Sequence, residues 1–73
     1  MKTNKKIVFS HHARLRLAQR DIGEETVRQV LKDADYVKKT FDNRKIAVKQ
    51  TNRRILNVVY IEEENKIIII TVY

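Results

Sequence analysis

The spacing of apolar residues changes near residue 35, and this change most constrains the fold. Before it, apolar side chains recur every three or four residues, as on a helix that buries one face. After it, they alternate with polar residues or form short runs rich in Ile and Val, which is typical of strands. A chain of 73 residues has room for one core. We therefore expect a single domain, 1–73, in which helices and strands bury one another.

Two helices are predicted in the first half. Ser10 is a good N-cap for a helix that runs to about Arg20, and Phe9 can pack against its first turn. The residues 21–23 break this helix. A second helix begins at 23–25, where two glutamates favour the positive end of the helix dipole. Its apolar positions repeat at helical spacing: Val27, Val30, Leu31 and Ala34.

Strands are predicted in the second half. Three runs have strand character, 46–50, 54–61 and 67–73, and 36–41 is a fourth candidate. The intervening turns at 42–43 and 51–52 are short enough to join antiparallel neighbours. The expected fold is α+β, with two N-terminal helices packed on a three- to four-stranded antiparallel sheet.

Both faces of this sheet are expected to be apolar. Within 54–61, three side chains point one way (Leu56, Val58 and Tyr60) and three point the other way (Ile55, Val59 and Ile61). Two helices cover only one face of a sheet. The other face is then either closed by a partner, such as a second copy in a homodimer, or left with single exposed apolar residues, which are ordinary.

Composition excludes several classes of protein. The chain contains no Cys, so it has no disulfide and no thiolate nucleophile. No apolar run approaches the roughly 20 residues that span a bilayer, and no signal-peptide stretch follows the first lysines. No carboxylates are spaced to hold a hard cation. We expect a cytoplasmic protein without a membrane partner, a metal or a cofactor.

Positive charge is concentrated in two segments. Residues 1–20 carry six Lys or Arg and no acid, and residues 41–54 carry five against one Asp, within a net charge of +7. If the fold brings these segments together, they form a surface that attracts nucleic-acid phosphates, with an affinity that falls steeply as salt rises. The alternative is a solvated face that keeps a small protein soluble.

Within the first basic segment, His12, Arg16 and Arg20 are spaced to stack along one helix face. An imidazole exchanges a proton near neutral pH, and a guanidinium fits two phosphate oxygens at once. This combination suits phosphate chemistry. The same residues also fit a plain solvated face, or arginines that pair with Asp21, Glu24 or Glu25 across the two helices.

The pattern His-Ala-x-x-Arg-x-x-x-Arg over 12–20 resembles the signature of the bacterial family catalogued as domain of unknown function 4258. The segments 22–27, 53–59 and 70–73 also resemble that family, so the likeness covers nearly the whole chain. One position departs from it, since Asp21 stands where the family usually has Gly.

The family is similar in element order to the RelE and ParE toxins and to barnase-like, metal-independent ribonucleases. This resemblance implies RNA as the substrate and an antitoxin protein as a partner. It implies a site in which His12 is the base or acid, Arg16 and Arg20 hold the phosphate, and Tyr73 or Tyr60 supplies a second proton or stacks on a base. The residues expected to bind nucleic acid around it are Arg14, Lys45, Lys49, Arg53 and Arg54. The alternatives are a non-catalytic nucleic-acid-binding module, or a dimerising or interaction protein that uses the apolar sheet face.

Overall fold

The computed structural model describes residues 5–73. Two helices follow a short first strand, and four further strands complete the chain. The elements are β1 (Lys6–Phe9), α1 (His11–Arg20), α2 (Glu24–Asp33), β2 (Tyr36–Lys39), β3 (Lys45–Gln50), β4 (Ile55–Glu62) and β5 (Lys66–Val72). The α+β class, both helices and the four later strands agree with the prediction from sequence.

The sheet differs from the prediction in its first strand. It has five strands in the order β1-β5-β4-β3-β2, and β1 lies parallel to β5. The expectation of three or four antiparallel strands was therefore wrong. The four residues of β1 are too few to show a clear alternation of polar and apolar side chains. They pair with a distant segment, since Ile7 lies beside Ile67, 60 positions later in the chain. Pairing over such a separation leaves no local sequence signal.

Helix α1 is fixed at both ends by hydrogen bonds. The Ser10 hydroxyl oxygen accepts from the Ala13 amide at 3.0 Å, as predicted for an N-cap. At the other end, Asp21 adopts a left-handed backbone with φ of 56°, and the amide of Ile22 donates to the carbonyl of Leu17 at 2.9 Å. This is the Schellman arrangement that ends many helices. No helix within residues 5–73 is long and apolar enough to cross a membrane.

The core lies between the two helices and one face of the sheet. Ala13 and Leu17 of α1 and Val27 and Val30 of α2 are buried there. The strands of the sheet contribute the rest of the buried cluster: Phe9, Ala47, Leu56, Val58, Tyr60, Ile67, Ile69 and Val72. The prediction that Leu56, Val58 and Tyr60 share one face is confirmed, and the structure shows that this face is the one turned to the core. Burial of this surface is the main stabilising contribution to a chain without disulfides.

The opposite face of the sheet carries the remaining strand side chains. Cross-strand partners share a face, so Ile46 lies with Val59, and Ile61 lies with Ile68. Val59 is only 8% exposed, although its pairing with Ile46 places it on the face away from the helices. We refer to this surface as the open face.

Gly23 offers a test of helix capping. It is the N-cap of α2, makes no side-chain capping bond, and has φ of −83° and ψ of 156°, which any residue can adopt. A Cβ at this position meets nothing within 4 Å. Gly23→Ser should raise the free energy of unfolding by about 0.5–1 kcal/mol, because it adds a capping oxygen and restricts the unfolded chain.

Urea denaturation measures this change, with Gly23→Ala as the control that lacks the oxygen. Equal stabilities of the Ser and Ala variants would contradict the capping explanation.

Candidate nucleic-acid interface

The polar face of α1 is available to a ligand. His12 and Arg20 are exposed and Arg16 is half-buried. Within residues 5–73, none of the three side chains forms an ion pair. The three residues follow one another at about 6 Å along the helix axis. The structure therefore places the predicted imidazole and both guanidinium groups on one accessible ridge.

Arg16 is the most constrained of these residues. Its Nε is enclosed and has no hydrogen-bond partner in the part of the chain that the structure describes. The stem of the side chain is thus held against protein while the residue as a whole stays partly exposed. Within residues 5–73, neither Arg16 nor Arg20 forms an ion pair with an acid of the other helix or of the turn between the helices. Arg14 makes that contact instead, with its Nη1 3.6 Å from Glu24 Oε2.

Two lysines that were expected to bind nucleic acid are neutralised by neighbouring acids. Lys45 Nζ lies 2.9 Å from Glu62 Oε1, and this hydrogen bond raises the pKa of Lys45. Lys49 Nζ lies 3.5 Å from Asp35 Oδ1. The amide of Gln50 donates to Asp35, which lowers the pKa of that carboxyl, with a further contribution from Lys49. Lys45 thus joins β3 to β4, and Lys49 joins β3 to the segment between α2 and β2, so neither lysine offers a free charge.

Arg53 and Arg54 present free guanidinium groups from a fixed turn. Thr51 organises the turn between β3 and β4, since its amide and its hydroxyl both donate to the Arg54 carbonyl at 2.8 Å. The Thr51 hydroxyl oxygen also accepts from the amides of Arg53, at 3.4 Å, and Arg54, at 3.2 Å. Both arginine side chains are exposed, and neither forms an ion pair within residues 5–73.

The two basic segments meet at a cleft between this turn and the turn that follows α1. The cleft has a volume of about 310 Å³. It is lined by Asp21, Ile22, Thr26, Thr51, Asn52, Arg53, Arg54 and Leu56. Arg20 directly precedes Asp21 in the chain, so the end of the α1 ridge lies next to the cleft. We call Arg16, Arg20, Arg53 and Arg54 the arginine surface.

Tyr73 is not brought to the α1 ridge. Its amide and carbonyl exchange hydrogen bonds of 2.9 and 2.8 Å with Asn57, as in an antiparallel pair. Because Leu56 and Val58 on either side of Asn57 point to the core, Asn57 and Tyr73 lie at open-face positions. His12 lies on the opposite side of the sheet, on α1, and it is about 12 Å from Arg20 along the helix axis. The four residues predicted to be catalytic therefore do not form one cluster.

The acidic side chains are mostly used in ion pairs. Seven of the nine carboxylates lie within 4.0 Å of a cationic nitrogen. Within residues 5–73, only Asp21 and Glu64 have no such partner. In the same range no three His, Asp or Glu side chains are grouped so that they could hold a metal ion.

Sequence reasoning did not include the cleft-lining residues Asp21, Thr26, Thr51 and Asn52 among the site residues. They lie on separate turns, and each turn read alone is an ordinary polar connection. The one sequence signal was Asp21, which departs from the family pattern.

Comparison with known families places this geometry in context. The model of the family described as Domain of unknown function (DUF4258) matches residues 9–73. The chain belongs to this family. The DUF4258 match includes the whole of α1 and every residue that lines the cleft. No curated protein and no solved structure matches the chain significantly.

The Lys5–Glu62–Lys45 contact gives a pH-dependent stability. Hydrogen bonds from Lys45 and Lys5 lower the pKa of Glu62 from 4.5 to about 2, and the bond from Lys45 has the larger effect. The stabilisation by the ionised carboxylate is complete above pH 4.5. It decreases as the pH falls towards 2. Since the groups are partly solvated, we expect a loss of up to about 1 kcal/mol.

Urea unfolding at a series of pH values checks this expectation. The difference in stability between the wild type and Glu62→Gln should shrink as the pH is lowered from 4.5 towards 2. Glu64→Gln, which removes a carboxylate without an ion pair, should show no such trend. A difference between wild type and Glu62→Gln that stays constant over this range would contradict the proposed cause.

Proposed function

We propose that this protein binds single-stranded RNA on the arginine surface and cleaves it as a toxin-like, metal-independent ribonuclease. One observation carries the proposal. Within residues 5–73, three of the seven arginines form ion pairs with acids (Arg14, Arg28 and Arg44), and the four that do not are those of the arginine surface. Two of these four unneutralised guanidinium groups belong to residues that line the cleft and two belong to the neighbouring helix, an arrangement that favours a polyanion.

The spacing of these groups favours a flexible single strand. Arg16 and Arg20 are separated by about 6 Å along α1, a distance similar to that between successive phosphates of an extended strand. A strand that leaves the cleft at Arg53 and Arg54 can continue past Arg20 and Arg16 towards His12. Each guanidinium can donate two hydrogen bonds to one phosphate group.

The cleavage step needs a base for the 2′-hydroxyl and cations for the charge that grows on the phosphate. In the proposed reaction, His12 accepts the 2′-hydroxyl proton, the 2′-oxygen attacks phosphorus, and the bond to the 5′-oxygen breaks. The leaving 5′-oxygen takes a proton from solvent water and His12 later returns its own proton to the solvent, so the products are a 2′,3′-cyclic phosphate and a 5′-hydroxyl. Arg16, one turn along the ridge, stabilises the negative charge.

The toxin-like assignment rests on the resemblance of the chain to RelE and ParE toxins in its order of helices and strands. In such a pair an acidic antitoxin segment would neutralise the arginine surface, and the net charge of +7 supports an acidic partner.

The position of Tyr73 favours a second candidate, a non-catalytic RNA-binding module. Tyr73 lies at an open-face position, across the sheet from His12, so it cannot act as the second proton donor beside that imidazole. The arginine surface would then bind phosphates without proton transfer.

RNA binding on the arginine surface should depend strongly on salt. Four phosphate contacts predict a slope of about −3 for log affinity against log salt, since each contact to a single strand contributes about 0.7. Arg53→Ala/Arg54→Ala should reduce this slope by about 1.4 and weaken binding by about tenfold or more at low salt.

Fluorescence anisotropy of a labelled single-stranded RNA measures both quantities. Lys38→Ala/Lys39→Ala is the matched control, because it removes two exposed lysines of β2, which also lack ion pairs within residues 5–73, and changes the net charge equally. Equal effects of the two double variants would show that only overall charge matters and would refute the proposed surface.

Removal of the His12 imidazole should abolish RNA cleavage. His12→Ala is expected to lower the cleavage rate at least a hundredfold, a typical contribution of one acid-base group, while RNA affinity changes little. His11→Ala, which removes an adjacent exposed imidazole, is the control. The assay follows cleavage of a labelled RNA on a gel, with and without a chelator.

Each outcome distinguishes between the candidates. Cleavage that persists with chelator and is lost only in His12→Ala supports the ribonuclease. RNA binding without cleavage by the wild type favours the non-catalytic module. A wild type that neither binds nor cleaves RNA at low salt, yet forms a tight dimer, would favour an interaction protein that uses the open face.

A further inference from the structure

We propose that the cleft is a subsite for one guanine nucleotide of the bound RNA, in which the Asp21 carboxylate recognises the base. This inference rests on the proposed function and deepens it, since it assigns the base that the arginine surface holds in place.

Within residues 5–73, the Asp21 carboxylate forms no ion pair, although two arginines line the same cleft. It shares the cleft with Arg53 and Arg54, yet no ion pair joins them in the part of the chain that the structure describes. Seven other carboxylates of this basic chain are paired. The negative and positive groups of the cleft therefore stand apart, with space between them.

The backbone at Asp21 has a defined conformation beside this space. Its φ of 56° lies in the left-handed region, which a residue with a Cβ seldom occupies. The amides of Asp21 and Ile22 both donate to carbonyls of the last turn of α1, at 3.3 and 2.9 Å. These bonds fix the backbone that carries the carboxylate, so the turn itself loses little further freedom on binding.

The walls of the cleft define what can fill it. Arg53 and Arg54 require acceptors on one side of the ligand, and Asp21 requires donors on the other side. Leu56, only 4% exposed, and Ile22 provide an apolar wall. An inorganic anion satisfies only the arginines, and a purely apolar ligand satisfies neither side. A nucleotide offers phosphate acceptors, a flat apolar ring and donors on its base edge.

The carboxylate selects among the four bases. Guanine presents two adjacent donors on its Watson–Crick edge, the N1–H and the 2-amino group, and a carboxylate can accept from both at once. Adenine and cytosine place a ring nitrogen acceptor beside their single amino group, which repels a carboxylate. Uracil has one N–H between two carbonyl groups. Asp21 therefore favours guanine.

The volume of the cleft sets the size of the ligand. At about 310 Å³ it lies at the lower end of the range for small-molecule sites, about 300–1,000 Å³. One nucleotide of a single strand suits this space. The neighbouring phosphates can then reach Arg20 on one side of the cleft.

The test measures the binding of four labelled pentaribonucleotides by fluorescence anisotropy. They differ only in the central base, which is G, A, C or U within uridines, and they carry 2′-methoxy groups so that they cannot be cleaved. The wild type should bind the G-centred strand about tenfold more tightly than the others, as expected of one bidentate contact to a base.

Asp21→Asn should abolish this preference, because an amide offers one acceptor and one donor in place of two acceptors. Asn also takes the left-handed backbone readily, so the turn should be preserved. Glu64→Gln is the matched control, since it removes the other unpaired carboxylate with the same change in charge, and it should retain the preference for guanine.

Two results would overturn the inference while leaving the proposed RNA binding intact. One is equal affinity of the wild type for all four strands. The other is an equal effect of Asp21→Asn and Glu64→Gln, which would reduce the role of Asp21 to general charge. Failure of the wild type to bind any of the strands at low salt would instead refute the proposed function, and this inference with it.

Discussion

The contact of Ser10 with β5 is the interaction on which the position of the candidate site depends. The Ser10 hydroxyl donates to the Ile70 carbonyl at 3.0 Å, while its oxygen caps the first turn of α1. The Ser10 amide also donates to the Ile69 carbonyl at 3.0 Å. One residue thus ends β1, begins α1 and fixes both to the central part of β5.

An irregularity in β5 makes this contact available. Thr71 pairs with Val59 and Ile69 pairs with Tyr60, so Ile70 is an extra residue in the ladder with β4. A bulge of this kind locally disturbs the regular pairing of a strand. Ser10 binds its carbonyl, so this backbone group is not left unsatisfied. The direction of α1, and with it the direction of the His12 ridge, follows from this junction.

Electrostatic pairing decides which cations remain available for a ligand. Asp35 and Glu62 neutralise lysines of β3, and Glu24 joins α2 to Arg14. The acids are thereby committed at sites away from the cleft. Within residues 5–73, no acid forms an ion pair with the arginine surface, and Asp21 lines the same cleft as Arg53 and Arg54 without pairing with either.

Much of the fold could be predicted from local patterns. The bounds of α1 followed from the Ser10 cap and the break at Asp21, and the later strands followed from their alternation and short turns. Strand β1 could not be predicted, because its parallel pairing with β5 is between distant segments. The same holds for the site: His12, Arg16 and Arg20 share a ridge because of helix geometry, whereas the cleft arises from two turns that meet only in the folded chain.

The sequence by itself determined the elements, the direction of their apolar faces and the ridge of His12, Arg16 and Arg20, since these depend on dihedral preferences and on residue spacing within a few positions. Only the tertiary structure decided that Lys45 and Lys49 are paired while Arg53 and Arg54 are free. It also decided that Asp21 lines the same cleft as those arginines and that Tyr73 lies on the other side of the sheet. These outcomes depend on distances through space between segments that are far apart in the chain, which no local pattern of residues encodes.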